Sequence, residues 1–507
     1  MPANKTHNMY RTLLSITAGA MLSVLLTACE KKDMGNQPKG PDVEVVALTS
    51  ANTLVTFNAS MPSKIDATVM VTQLAEGEKL LSIDFRPATG ELYGLGSSSR
   101  IYVINRDNGK ARAIGSASFT PAISSNMTAI DFNPTVDRIR LVGSTGQNLR
   151  LHPETGVVVA TDGIINGASA SIGAIGYTNA MAGAASTVLY DIDVKNGMLY
   201  KQDPPNNGTL VAVGSLGFSS SMMSGFDIAA GTNTAIATVA DGMSSNLYTV
   251  DLMTGKASSI GKLSAAVVDI AIPTMPVAYA VTASNQLHIF NPNQPASTVA
   301  KDITGLQAME KMLGIDFRPA NGQLYGLGSS GRLYAFNLAT GAATQVGSSF
   351  GTALLGSDFG FDFNPTVDRI RVVSNLGQNL RINPNDGAVV AVDGLLNPGS
   401  PAVSAAAYTN NFAGTSSTEL YVIDHVAGKL YLQNPPNNGT LELKASLSVG
   451  FSAANGFDIG SRSNEAWAIY SSASGNMLVK INLKDGSTSS PKAFAHAATG
   501  FAIGTGF

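Results

Sequence analysis

Cysteine is nearly absent from this chain. Its 507 residues contain one, Cys29, and one tryptophan, Trp467. A single cysteine excludes an internal disulfide framework and any zinc site built on paired cysteines. The lone tryptophan excludes the per-blade tryptophan docking of quinoprotein dehydrogenase propellers and argues against an aromatic-rich glycan groove. Charge is also scarce, at 13% of residues with a formal net of −3, and no basic block interrupts it. Binding to a phosphate backbone therefore has no electrostatic support, and nucleic acid is not an expected partner. Histidine is thin as well: His7, His152, His288, His425 and His496 are scattered without metal-ligand spacing. With no G-x-S-x-G present, serine–histidine hydrolysis and zinc chemistry are not expected.

The N-terminus is more informative. Lys5 and Arg11 precede an apolar run from Leu13 to Leu26, followed by Thr27, Ala28 and Cys29. That run is too short and too early for an ordinary spanning helix, and its small residues suit a signal peptidase. L-T-A-C resembles the bacterial lipobox, so residues 1–28 read as a lipoprotein signal peptide and Cys29 as the lipidation site. Acyl chains there, as in palmitate-type modification, would hold the protein on a membrane at about 0.8 kcal/mol per buried methylene. Residues 29–42 form a polar, Pro/Gly-containing tether. Glu30 stands where Asp would favour inner-membrane retention, which leans the expected location toward the outer membrane of the cell envelope.

The rest of the chain is a duplication. DFNPTVDRIRLVGSTGQNLRLHP (131–153) returns as DFNPTVDRIRVVSNLGQNLRINP (362–384), with 17 of 23 positions identical. PPNNGTL (204–210) returns at 435–441. Each half divides again. A short strand recurs as SIDF, AIDF, AIGY, GFDI and VDIAI, then as GIDF, GFDF, AAAY, GFDI and GFAI. The period, near 45 residues, matches a four-stranded propeller blade. Residues 314–347 give the blade contents: GIDF, QLYGLG, RLYAFN and AATQVG are strands a to d, punctuated by Asn-Gly, Ser-Gly and Thr-Gly turns.

Residues 43–74 supply strands b, c and d with no strand a before them. Either AVVDIAI (266–272) and TGFAIG (499–504) each close one ring, or only the second does. The first gives two five-bladed propellers, 43–272 and 277–507; the second gives one ten-bladed ring. Because propellers run from four to eight blades, the expected fold is all-β, with two tandem five-bladed propellers. A β-solenoid or stacked sandwiches would fit the short strands but not their grouping in fours.

Two residue sets could carry chemistry. Asp84, Asp131, Asp227, Asp269, Asp316, Asp362 and Asp458 are placed at one position of strand a, the strand nearest a propeller axis. No cofactor is expected beyond a calcium-like cation that such a ring could take, and the ring could instead supply the two carboxylates of glycoside hydrolysis. A group repeated in nearly every blade more simply hydrogen-bonds backbone amides. The second set is Arg138, Arg140 and Arg150, repeated as Arg369, Arg371 and Arg381. These are expected to pair with carboxylates of the same segment, Asp362 or Asp368 in the second half, or else to bind a carboxylate or sulfated sugar.

GIDFRPANGQLYGLG, FDFNPTVDRIRVVSNLGQNLRINP and AAYTNNFAGTSSTELYVID resemble a bacterial family known as domain of unknown function 4394, and the likeness covers residues 43–507 in two copies. The resemblance implies exported or lipid-anchored propeller-like proteins, and it carries over no catalytic residue. The expected function is a non-catalytic binding or scaffolding module whose partners are a membrane, through its anchor, and an envelope protein or glycan. The competing expectation is a glycosidase or lactonase-like hydrolase using the strand-a carboxylates.

Overall fold

The computed structural model describes residues 40–218, 225–451 and 453–507. The signal segment, Cys29 and most of the tether lie outside the described residues. Among those described, regular structure is almost wholly β, with two single 3-10 turns, Pro205–Asn207 and Pro436–Asn438. No described helix is long and apolar enough to cross a membrane.

The strands form ten four-stranded antiparallel sheets. In the first half, strand a of successive blades is Leu80–Phe85, Thr128–Asn133, Ile172–Tyr177, Phe226–Ile228 and Val267–Ala271. The fifth pairs with Glu44–Thr49, the first strand of the fold, and so closes the ring with N-terminal strands b, c and d. In the second half Ala498–Ile503 pairs with Ala278–Thr282 in the same way. Each ring is therefore sealed by hydrogen bonds between its own ends. The protein is two five-bladed propellers, not one ten-bladed ring.

The cores lie between blades. Strand a and strand b are buried on both faces, which explains why GIDF and QLYGLG do not alternate apolar with polar. Aromatic pairs join successive blades, such as Tyr93 with Phe132 at 5.0 Å and Tyr325 with Phe363 at 5.4 Å between ring centroids. At particular positions of the inner strands of the second propeller the backbones approach so closely that only glycine fits. A Cβ on Gly360 would lie 2.6 Å from the Ala406 backbone nitrogen, and one on Gly456 would lie 2.4 Å from the Phe501 Cβ.

The two propellers share a welded contact. The Ala88 side chain joins the core of the second propeller beside Tyr279 and Phe317. Tyr279 Oη donates to the Ala88 carbonyl at 2.8 Å, and the Gly506 amide donates to the Thr89 carbonyl at 2.8 Å. Arg86 crosses the same boundary, its Nη1 donating to the Gly322 carbonyl at 3.0 Å.

Candidate functional site

Strand a brings the predicted carboxylates to the two axes. Asp84 accepts the amide of its own neighbour Phe85 at 2.7 Å and that of Phe132, in the next blade, at 2.7 Å. Asp316 does the same with Phe317 and Phe363, each at 2.7 Å. Asp458 accepts Ile459 and Ile503, each at 2.6 Å, and Asp227 accepts Ile228 and Ile272. Asp131 and Asp362 reach only the next blade, accepting Tyr177 and Tyr408. Each aspartate thus fastens one blade to the following one around the axis, which a capping role within its own blade would not do.

Asp269 departs from this pattern. The amide that Asp227 accepts belongs to Ile272, so Ala271, not Asp269, stands at the position of the other aspartates. Asp269 lies two residues earlier, one layer along the axis. There it accepts the Ile83 amide at 2.9 Å and the Ser82 hydroxyl. The misplacement arose because VDIAI offers an acid one turn of the pleat away from the true register.

Asp84, Asp131 and Asp227 each present a carboxylate oxygen within 4.8 Å of the others, and Asp316, Asp362 and Asp458 form the matching group in the second ring. All are buried. Two like charges at such a distance repel by about 3–4 kcal/mol at an effective dielectric of 20, which exceeds the ~1.5–3 kcal/mol of a charged hydrogen bond. Burial first, then the neighbouring carboxylates, therefore push Asp84, Asp131, Asp316 and Asp362 well above the ordinary carboxylate range. Burial alone raises Asp227 and Asp458 to about 7 against their amide donors, and Asp269 also stands at about 7. Either protons or a cation would relieve the repulsion. These carboxylates are enclosed by strands, which removes them from reach of a glycosidic bond.

Raised carboxylates fix the sign of a pH effect. Below about 3.8 both folded and unfolded chains are protonated, and the stability from these groups is fully present. As pH rises toward 7 the unfolded chain ionises first, so stability falls. Asp362→Asn keeps the acceptor for the Tyr408 amide and removes one titrating group. It is expected to raise stability at pH 8 by about 1–2 kcal/mol and to flatten the decline from pH 5 to 8. Urea titrations at both pH values read this out. A variant weaker than the parent at pH 8, with calcium protecting only the parent, would assign a cation to the group instead.

The arginines form a second construction, repeated in each half. Arg371 Nη1 donates to Asn379 Oδ1 and Asp393 Oδ2, both at 2.7 Å, and its Nη2 donates to Asn437 Oδ1 at 2.8 Å. Its Nε meets Tyr408 Oη at 3.4 Å. Arg381 grips Asp393 with Nε and Nη2 at 2.7 and 3.0 Å; burial works against the charge, but the hydrogen bonds from Arg381 and Arg371, with both guanidinium charges, pull Asp393 below its usual range. In the first half Arg140 holds Asn148, Asp162, Asn206 and Tyr177, and Arg150 grips Asp162. The PPNNG turn earns its rigidity here, because its 3-10 turn delivers Asn206 or Asn437 to the guanidinium.

The expected partners were therefore wrong. Arg371 and Arg381 pair with Asp393, and neither Asp362 nor Asp368 forms an ion pair with them. Asp368 holds Arg318, and Asp137 holds Arg86. Asp162 and Asp393 were missed because they stand just beyond the duplicated segment, in T-D-G and V-D-G. Their recurrence at the duplication offset was the signal available. Arg138 and Arg369 make no ion pair among the described residues; each donates to the carbonyl of the preceding aspartate, at 2.7 and 2.8 Å.

In the second propeller Arg369, Arg371 and Arg381 line one cavity of about 250 Å³ together with Asn364, Tyr408 and Asn437. No carboxylate is among its lining residues. Asp393 neutralises part of this charge through Arg371 and Arg381, and among the described residues no carboxylate pairs with Arg369. The cavity is chemically suited to an anion.

Comparison with known proteins adds the family but no activity. No curated protein matches the chain. The extracellular domain of BT4673 from B. thetaiotaomicron is 11% identical, with 90% of this chain and 65% of that chain covered and a TM-score of 0.25. PorZ, a surface component of the type-IX secretion system of Porphyromonas gingivalis, is 15% identical over 87% of this chain and 63% of that one, with a TM-score of 0.26. The Dos1 propeller is 12% identical over 66% of this chain and 91% of that one, also at 0.26. This chain thus spans less than two thirds of the length of the BT4673 and PorZ structures. The model for a domain of unknown function, DUF4394, matches residues 53–271 and again 286–503, so the chain belongs to that family in two tandem copies.

Proposed function

We propose that the protein is a lipid-anchored binding module of the bacterial cell envelope whose second propeller holds an anionic saccharide, carboxylated or sulfated, in the arginine cavity. The observation that carries this reading is the convergence of Arg369, Arg371 and Arg381 on one cavity whose lining contains no acid. Arg371 and Arg381 are pre-oriented by Asp393, so little side-chain entropy is lost when an anion docks. Arg369 is the free partner: no carboxylate holds it, and its departure leaves the Asp393 network whole. The lipobox supports placement on a membrane through Cys29, and Glu30 supports the outer membrane.

Titration calorimetry with polygalacturonate and chondroitin sulfate at fixed ionic strength tests the reading. Arg369→Gln is expected to weaken binding about tenfold or more without changing the melting temperature. Arg138→Gln, at the matching site of the first propeller, serves as the comparison. Unchanged affinity in Arg369→Gln, or no binding of either polymer by the parent protein, would overturn the proposal.

A further inference from the structure

A different cleft, open to solvent and with about 80 Å³ of enclosed space, lies between the two propellers. Its floor is apolar, contributed by Phe85, Leu92 and Ile104 of the first propeller and Phe412 of the second. Its walls are fixed by the contacts that join the propellers, including the Gly506–Thr89 hydrogen bond and the Phe507 ring. That ring lies so near Gly90 that a Cβ there would stand 2.3 Å from it. Interfaces between domains are where small-molecule sites concentrate.

Three residues of this lining each carry a buried polar atom with no hydrogen-bond partner among the described residues: Glu91 Oε2, Asn411 Oδ1 and Thr505 Oγ1. Folded proteins leave few such groups, because each costs about 1–3 kcal/mol. Two of the three are pure acceptors, so what completes them is a donor. The cations divide into held and free. Arg106 pairs with Glu44 at 2.8 Å, and Arg462 pairs with Asp107 at 2.7 Å. Lys110 and Arg112 make no ion pair among the described residues; the only protein acceptor near the Arg112 guanidinium is the Pro319 carbonyl at 3.5 Å. The cleft therefore offers unsatisfied acceptors including one carboxylate, two free cations, and an apolar floor.

We infer that this cleft binds a zwitterion with an apolar side chain, a free amino acid or a di- or tripeptide. The α-ammonium meets Glu91 and Asn411, the carboxylate meets Arg112 and Lys110, and the side chain rests on Phe85, Leu92 and Phe412. Capturing both chain ends at once sets the length of peptide that fits. The anionic saccharide proposed for the arginine cavity lacks the ammonium and would leave Glu91 unsatisfied, so the two sites select different chemistry.

The test uses the purified full chain and the dipeptide Leu-Phe, with N-acetyl-Leu-Phe and Leu-Phe-amide as probes lacking one charge each. Calorimetry is expected to give saturable binding of Leu-Phe, weakened about tenfold or more for either capped form. Glu91→Gln should erase the preference over the N-acetyl form, and Arg112→Gln the preference over the amide. Melting temperatures check that both variants fold, and the capped peptides test the parent even where one does not. Equal binding of all three peptides, or no binding of Leu-Phe by the folded parent protein, would overturn the inference.

Discussion

Asp137→Asn is expected to lower the unfolding free energy by about 3 kcal/mol, whereas Asp368→Asn, its duplicate, should cost about 1 kcal/mol or less. Both aspartates sit in the left-handed region, with φ of 49° and 50°, which asparagine adopts as readily. The substitution therefore isolates charge from backbone strain. Asp137 grips Arg86 through Nε at 2.9 Å and through Nη2, and Asp368 grips Arg318 in the same bidentate manner. The difference is burial. The Arg86 and Asp137 side chains are 0% and 9% exposed, against 12% and 34% for Arg318 and Asp368.

Arg86 is buried because the second propeller covers it, and Glu154 Oε1 approaches its Nη2 at 2.8 Å from the far side. Asn385 stands where Glu154 would be in the second half. With Asp137 neutralised, a fully enclosed guanidinium is left to Glu154 alone, itself raised by burial. Breaking a buried pair from one side is the costly case, and an exposed pair loses little because water takes over. Urea unfolding followed by fluorescence and by circular dichroism measures both variants, and agreement of the two probes checks that unfolding is two-state. Equal losses in the two variants would refute the idea that contact between propellers sets the strength of this pair.

The same comparison explains what could be read from residues alone. Strand count, blade grouping and the two candidate closing strands were legible because the period near 45 and the missing first strand a are properties of local sequence, while the choice between two rings and one rested on the usual blade number. Arg86 was not legible as a special residue, since FRPATG and FRPANG are the same turn. Only contact between propellers, which a repeat cannot encode within itself, tells them apart. Asp269 was misread because an acid in VDIAI outweighed register. Arg371 was matched to Asp362, which does face it across adjacent strands. Yet a guanidinium on that strand reaches outward to Asp393, while the aspartate turns to the axis, and the two meet only at Tyr408. The cleft between propellers left no trace in either half, because each contributes only part of its wall.

Asp191→Val is expected to stabilise the protein by about 3–5 kcal/mol more at pH 8 than at pH 4. Asp191 is 0% exposed, and neither of its carboxylate oxygens has a partner. Burial pushes its acid up to about 8, with Arg140 opposing. In the second half Val422 fills the same strand position, also at 0% exposure. Swapping in valine thus installs a side chain that the matching blade of the second propeller already packs. The folded acid holds its proton while the unfolded chain releases it above about 3.8, so the parent's stability from this group is complete below 3.8 and lost as pH rises through about 8. Valine does not titrate, so the gap between variant and parent should open steadily across that window. Urea unfolding at pH 4.5, 6 and 8 measures it. Parallel stability curves would mean that Asp191 is not protonated in the folded protein, and Arg140 would then be its only remaining source of compensation.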